Sequence, residues 1–314
     1  MSRPEVLVLR ALGLGDLLTA LPALRGLRRA FPAHRLVLAA PRWLAPLAHP
    51  EVDELLDHSG LSAPLPHRPV HIAVNLHGCG PASHALLDAL RPARRIGHAH
   101  PGWPGPPWSE GEAERHRWCD LLAWHDIPAN PGDLYLPPPA ARLQPPGSAS
   151  PPGLRAAAVV HPGAGYPAKR WPPERFAAVA AALAADGHRV VVTGSPTERG
   201  LAAQVVTRAG LPPEALLAGV TTLDALAMLV HQATVVVSGD TGIAHLAAAY
   251  RTPSVVLFGP VPAQQWGPPP GGPHLALSAD APRRGDPFAA DPDPALVAIT
   301  VPDVLAAARH IRRR

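Results

Sequence analysis

Cysteine is nearly absent from this chain of 314 residues, with Cys79 and Cys119 the only two. They build no disulfide framework and match no metal-ligand spacing, a usage that suits a reducing compartment. Aromatic residues make up 4%, too few for a base-stacking platform on single-stranded nucleic acid. Charged residues reach only 17%, and the basic ones are scattered apart from the tail Arg312-Arg313-Arg314. The net charge of +4 therefore does not indicate a nucleic-acid binder, although it leaves open an attraction to anionic substrates or peripheral contact with the inner face of a membrane. No run approaches the ~20 apolar residues of a spanning helix. The apolar stretch from Ala11 to Leu24 has Asp16 inside it and follows a strand-like run, which excludes a secretory signal. Lysine is rarest of all: of 28 lysines and arginines, Lys169 alone is lysine.

What is abundant is apolar residue (47%), proline (43) and glycine (27) without a collagen-like period. That composition describes a soluble, cytoplasmic, globular chain of roughly two domains, with turns punctuating short elements. Glu5–Arg10 reads as a buried parallel strand, and Leu17, Leu21, Leu24 and Leu27 recur at helical spacing after it, with Pro22 marking a young or kinked helix. Strands are expected at Arg35–Ala40 and near His71–Leu76, and helices near Pro81–Leu90 and Glu110–His125. From Leu136 to Gly153 the sequence is LPPPAARLQPPGSASPPG, an extended linker.

The alternation then restarts. Strands are expected at Ala156–Val160, Arg189–Thr193, Thr234–Val237 and Ser254–Phe258, with helices between them. Gly259–Pro294 reads as loop, and Val301–Ile311 as a last helix. Strand–helix alternation on both sides of a linker predicts an α/β protein of two Rossmann-like halves with parallel sheets.

Ligands of such sheets bind where strand ends lead into helices. Three turns stand out. Arg10–Asp16 carries Gly13 and Gly15, with Asp16 at a helix start; Asp16 reads either as a helix cap or as a carboxylate able to take a proton from a substrate hydroxyl. The turn lacks the third glycine of a dinucleotide fingerprint and the lysine of a P-loop. The stretch His161-Pro162-Gly163-Ala164-Gly165-Tyr166-Pro167-Ala168-Lys169 places the sole ammonium on a glycine loop suited to an anion. Ser238-Gly239-Asp240-Thr241-Gly242-Ile243-Ala244-His245 opens a helix whose amides at Thr241 and Gly242 would meet an anion, with His245 one turn in. Lys169 facing that helix would hold a diphosphate. Glu198 reads as a ribose ligand or an ordinary first-turn acid, and Asn75 and His77 end a strand of the first half. The 17 histidines include no pair at metal spacing on one helix, so no metal is expected. No nucleophile elbow surrounds Ser195 or Ser238.

The stretches VLVLRALGLGDLLTALPALRGLRRAFP, VVHPGAGYPAKRWPPERFAAVAAAL and VVVSGDTGIAHLAAAYRTPSVVLFGP together resemble glycosyltransferase family nine, the ADP-heptose heptosyltransferases of lipopolysaccharide assembly. The resemblance implies a GT-B fold: a facing pair of Rossmann-like domains, an acceptor-side one at 1–140, a linker at 141–153, a nucleotide-sugar-binding one at 154–300, and a helix at 301–314 that returns to the first domain. It implies Asp16 as general base, with Gly15, Asn75 and His77 on the acceptor side. Lys169 would lie beside the donor phosphates, Asp240 near the sugar, Thr241 and Gly242 near phosphate, and Gly163, Glu198 and His245 within the donor site. The implied reaction is an inverting transfer from a nucleotide-diphosphate sugar, by default ADP-heptose, to a glycan, glycolipid or small-molecule hydroxyl, without metal or cofactor. A sugar-nucleotide epimerase and a catalytically silent nucleotide binder share the architecture. Tyr166 stands where the family often has a small hydroxylated or polar residue, and the segment Pro262–Pro292 matches nothing in the family pattern.

Overall fold

The computed structural model describes residues 3–139 and 156–311. The linker expected at 141–153 and the Arg312–Arg314 cluster lie outside the described residues. Internal contacts divide the chain into two units, Met1–Leu134 and Tyr135–Arg314.

The first unit runs β1 (Glu5–Leu9), α1 (Leu14–Ala30), β2 (Arg35–Ala40), α2 (Ala45–Ala48), β3 (Glu54–Asp57), β4 (Ile72–Asn75), α3 (Pro81–Asp88), β5 (Arg94–Ile96) and α4 (Glu114–Trp124). Its five strands lie in the order β3-β2-β1-β4-β5, every pairing parallel. β1 holds the centre because Val6–Leu9 can be buried on both faces without stranding a polar group. α1 continues for 17 residues through Pro22. Burial of Leu17, Leu21, Leu24 and Leu27 outweighs the one backbone bond that the proline removes.

The second unit runs β6 (Ala158–His161), α5 (Pro173–Ala185), β7 (Val190–Val192), α6 (Arg199–Arg208), α7 (Leu223–Gln232), β8 (Val235–Gly239), α8 (Gly242–Ala249), β9 (Ser254–Phe258), α9 (Ala263–Trp266), β10 (His274–Ser278), α10 (Pro294–Val297) and α11 (Val301–Ile311). Its sheet is also parallel, in the order β10-β9-β8-β6-β7. The α/β class with two parallel-sheet, Rossmann-like domains is thus the observed one.

One finding differs from the sequence reading. The segment expected as loop carries β10, paired with β9 from His274 against Ser254 to Ser278 against Phe258. It escapes a hydropathy reading because an edge strand is only half buried and its apolar run is no longer than Leu275-Ala276-Leu277. The last helix, α11, buries Val304, Ala307, Ala308 and Ile311 in the second unit's own core beside Phe176, Val179 and Leu183 of α5. Trp171 anchors that core, its indole N–H donating to the Ile299 carbonyl at 3.1 Å and its ring meeting Phe176 edge-on. No helix among the described residues is long and apolar enough to cross a membrane.

Strand order reverses once in each sheet, between β1 and β4 in the first and between β6 and β8 in the second. Loops leaving the two strands at a reversal run to opposite faces and open a crevice at the strands' carboxyl ends. The turns singled out by sequence follow β1, β4, β6 and β8, the four strands at the reversals.

Candidate functional site: a polar cluster at each strand-order reversal

In the first unit the organising group is Arg10, the residue after β1, whose side chain is 1% exposed. Its guanidinium donates to the Leu76 carbonyl after β4 at 2.5 Å, to the Asp16 carbonyl at 3.1 Å, to Asp16 Oδ1 at 3.2 Å and to Glu114 Oε1 at 2.9 Å. It also lies over the Trp118 ring at 4.6 Å, and the Trp118 indole donates to the same Glu114 oxygen. A buried cation is tolerated only when so paired. Here the pairing ties together the loops after β1 and β4.

Asp16 is the third residue of α1, and its Oδ2 accepts the Gly13 N–H at 3.1 Å. Asp16 is not itself the cap, since Gly13 occupies that position and Asp16 reaches back to its amide. Each carboxylate oxygen takes one bond and keeps one lone pair. The side chain is 27% exposed, so an incoming hydroxyl can reach it. Gly15 lies on the same first helical turn.

Asn75 is fully buried, with its amide donating to Ser83 Oγ at 2.9 Å and its oxygen accepting the His77 N–H at 3.0 Å. It shapes the turn and presents nothing outward. His77 is half-buried. Burial, followed by the Arg10 charge, pushes its pKa down to about 4 against the opposing pull of Asp16, so the ring is neutral at neutral pH.

In the second unit the loop after β6 spans from Gly163 to Lys169. A Cβ on Gly163 would lie 2.3 Å from the Glu198 carboxylate, so glycine is what lets that carboxylate rest on the loop. Glu198 also accepts the Ser195 N–H at 2.8 Å, which is the first-turn role foreseen for it. His161 Nδ1 lies 2.9 Å from Thr193 Oγ1, and burial pushes its pKa down. Arg170 closes the loop by donating to the Ala164 carbonyl at 3.0 Å.

Lys169, 20% exposed, donates from Nζ to Asp240 Oδ2 at 2.7 Å. Asp240 is buried and immediately precedes Thr241, the cap residue of α8, whose side chain makes no capping bond. The sole ammonium therefore stands at the end of β8, beside the residues that open α8. Gly239 permits this closeness, since a Cβ there would lie 3.1 Å from the Lys169 carbonyl. His245, one turn into α8, meets Trp266 of α9 edge-on at 5.8 Å.

Within each unit the structure brings together most of the residues read from sequence. Sequence reasoning missed Arg10 as a scaffold and Glu114 and Trp118 as its partners. The one visible signal was an arginine closing a wholly apolar strand. Among the described residues no group of three or more His, Cys, Asp or Glu side chains is arranged to hold a metal ion.

Residues 119–276, half of the chain, match the family model of glycosyltransferase family 9 (heptosyltransferase). Lipooligosaccharide heptosyltransferase 2 of Haemophilus influenzae is 37% identical over 114 residues, covering 34% of this chain and 32% of that enzyme. The matched stretch thus spans about a third of the length of the curated relatives. A family 9 glycosyltransferase from Veillonella parvula superposes with a TM-score of 0.78 at 19% identity, covering 100% of this chain and 98% of that one. ADP-heptose lipopolysaccharide heptosyltransferase II of E. coli superposes with a TM-score of 0.75 at 22% identity, covering 98% of both chains.

Proposed function

The chain belongs to glycosyltransferase family 9, and from that membership we propose that it transfers a sugar, by default heptose from ADP-heptose, to a hydroxyl of a glycan, glycolipid or small molecule. The observation that carries the reading is the coincidence of chemistry with topology. The sole lysine and a helix N-terminus meet at the reversal of one sheet, and an accessible carboxylate stands at the reversal of the other.

In the proposed step Asp16 accepts the acceptor hydroxyl's proton while that oxygen bonds to the anomeric carbon. The bond from anomeric carbon to phosphate oxygen breaks, and the nucleoside diphosphate leaves with the electron pair from the opposite face, so configuration inverts. Lys169 and the first amides of α8 offset the charge growing on the leaving diphosphate, the part a divalent cation would otherwise take. Glu198 bonds the ribose hydroxyls. The reaction as proposed uses no metal and no cofactor.

The test combines binding and turnover. ADP-heptose is expected to raise the melting temperature, as any ligand selective for the folded state must. ADP is expected to appear only when an acceptor is added, at a rate unaffected by EDTA. Conversion of the donor to an epimer without acceptor, followed by NMR, would contradict the transfer reading.

A further inference from the structure

Of the exposed aromatic side chains, which include Trp43 and Trp124, two lie against each other. Tyr166 is 46% exposed and Phe288 is 67% exposed, and their rings meet at right angles with centroids 4.8 Å apart. Tyr166 belongs to the loop after β6, one short turn before Lys169, whose N–H donates to the Tyr166 carbonyl at 3.1 Å. Phe288 belongs to the segment that matched nothing in the family pattern.

That segment is tied down firmly. Arg283 donates to the carbonyls of Gly259 and Val261 just after β9, and contacts Ser278 at the end of β10. The Arg284 N–H donates to buried Asp293 at 2.9 Å, and the Phe288 N–H to Asp286 at 2.9 Å. The Ala168 N–H donates to the Ala289 carbonyl at 3.2 Å, and the Asp293 N–H returns to the Ala168 carbonyl at 3.1 Å. Residues 283–293 therefore form a strap clasped to the lysine's own turn, with Phe288 held against Tyr166.

The sheet order says which part of a ligand meets this pair. Glu198 follows β7 at one end of the order, Lys169 and α8 stand at the reversal between β6 and β8, and the strap enters from beyond β9 and β10 at the other end and reaches the lysine's turn at Ala168. A nucleotide sugar with ribose at Glu198 and diphosphate at Lys169 has its sugar at the strap end. Sugars present an apolar C–H face as well as hydroxyls, and aromatic rings cover such surface while keeping their edges wet. We propose that Tyr166 and Phe288 form an aromatic ledge that takes the C–H face of the sugar being transferred, and so discriminates the sugar nucleotide from the bare nucleotide. This inference rests on the donor-site reading above.

The test is calorimetric titration of the full chain with ADP and with ADP-heptose. Tyr166→Ala and Phe288→Ala are each expected to weaken ADP-heptose by about 3- to 10-fold and leave ADP unchanged. The double variant is expected to lose less than the product of the two, because the rings act as one surface. Tyr166→Phe is expected to behave as wild type. Equal weakening of ADP and ADP-heptose, or no change in their ratio, overturns the ledge. Lys169→Ala separates the two ideas: ADP affinity intact in that variant sinks the donor site, whereas lost ADP affinity with an unaltered ratio in the ledge variants sinks the ledge alone.

Discussion

The two units solve the placing of a charge at a strand-order reversal in different ways. In the first, Asp16 is gripped by a cation that is itself buried, stacked on Trp118 and paired with Glu114. In the second, Lys169 is held by one carboxylate, Asp240, on a loop of glycines. The first arrangement holds a carboxylate in place, which suits the general base proposed for Asp16. Among the described residues the second leaves the ammonium with a single partner, one that the proposed diphosphate would supplement or replace. On this account rigidity belongs to the proton-transfer side and exchangeability to the phosphate side.

The contrast is broken most severely by Asp16→Asn, which removes the proposed base and keeps the side chain's shape. Turnover is expected to fall by about 10²–10⁴ with ADP-heptose affinity unchanged, as steady-state rates and calorimetry check. Next comes Arg10→Met, which removes the guanidinium from the Leu76 carbonyl and from Glu114 Oε1, although Arg117 still bonds Glu114 Oε2 at 3.2 Å. Unfolding in urea is expected to show a loss of about 1–3 kcal/mol, less than for an isolated buried pair because Arg117 keeps Glu114 paired. Lys169→Ala tests the other side, with an expected weakening of ADP of about 10- to 100-fold by calorimetry, the range of a hydrogen bond to a charged group.

A smaller effect sharpens the ribose assignment. Gly163→Ala puts a Cβ where the Glu198 carboxylate lies. The wild type is expected to prefer ADP over its 2′-deoxy analogue by about 2- to 10-fold, and the variant to lose that preference. The smallest expected effect concerns His77. Burial, with Arg10, holds its pKa down at about 4, so the ring stays neutral as pH falls through 6.5 and gains its proton only near 4. The rate profile between pH 7 and 5 is expected to be the same for wild type and His77→Gln. A limb near pH 6.5 that the substitution removes would show a protonated His77 at work.

What was legible in the sequence follows from burial. β1 and β9 announce themselves because a strand buried on both faces must be apolar throughout, as Val6–Leu9 and Val255–Phe258 are. The edge strands β3, β5 and β10 are half-exposed and carry Glu54, Arg94, Arg95 and His274, so nothing periodic marks them. The three site turns were visible because glycine and charge are concentrated at the ends of central strands. Their fastenings were not. Arg10 finds Leu76 and Glu114 at separations of 66 and 104 residues, and Lys169 finds Asp240 at 71. The strap at 283–293 was opaque for a related reason, since its bonds run mainly through backbone groups that composition does not reveal.

A crystal structure of the full chain with ADP bound tests the central claim most directly. The account predicts diphosphate oxygens about 3 Å from Lys169 Nζ and from the first amides of α8, with the ribose at Glu198. A diphosphate bound elsewhere, with the ion pair of Lys169 and Asp240 untouched, would contradict it.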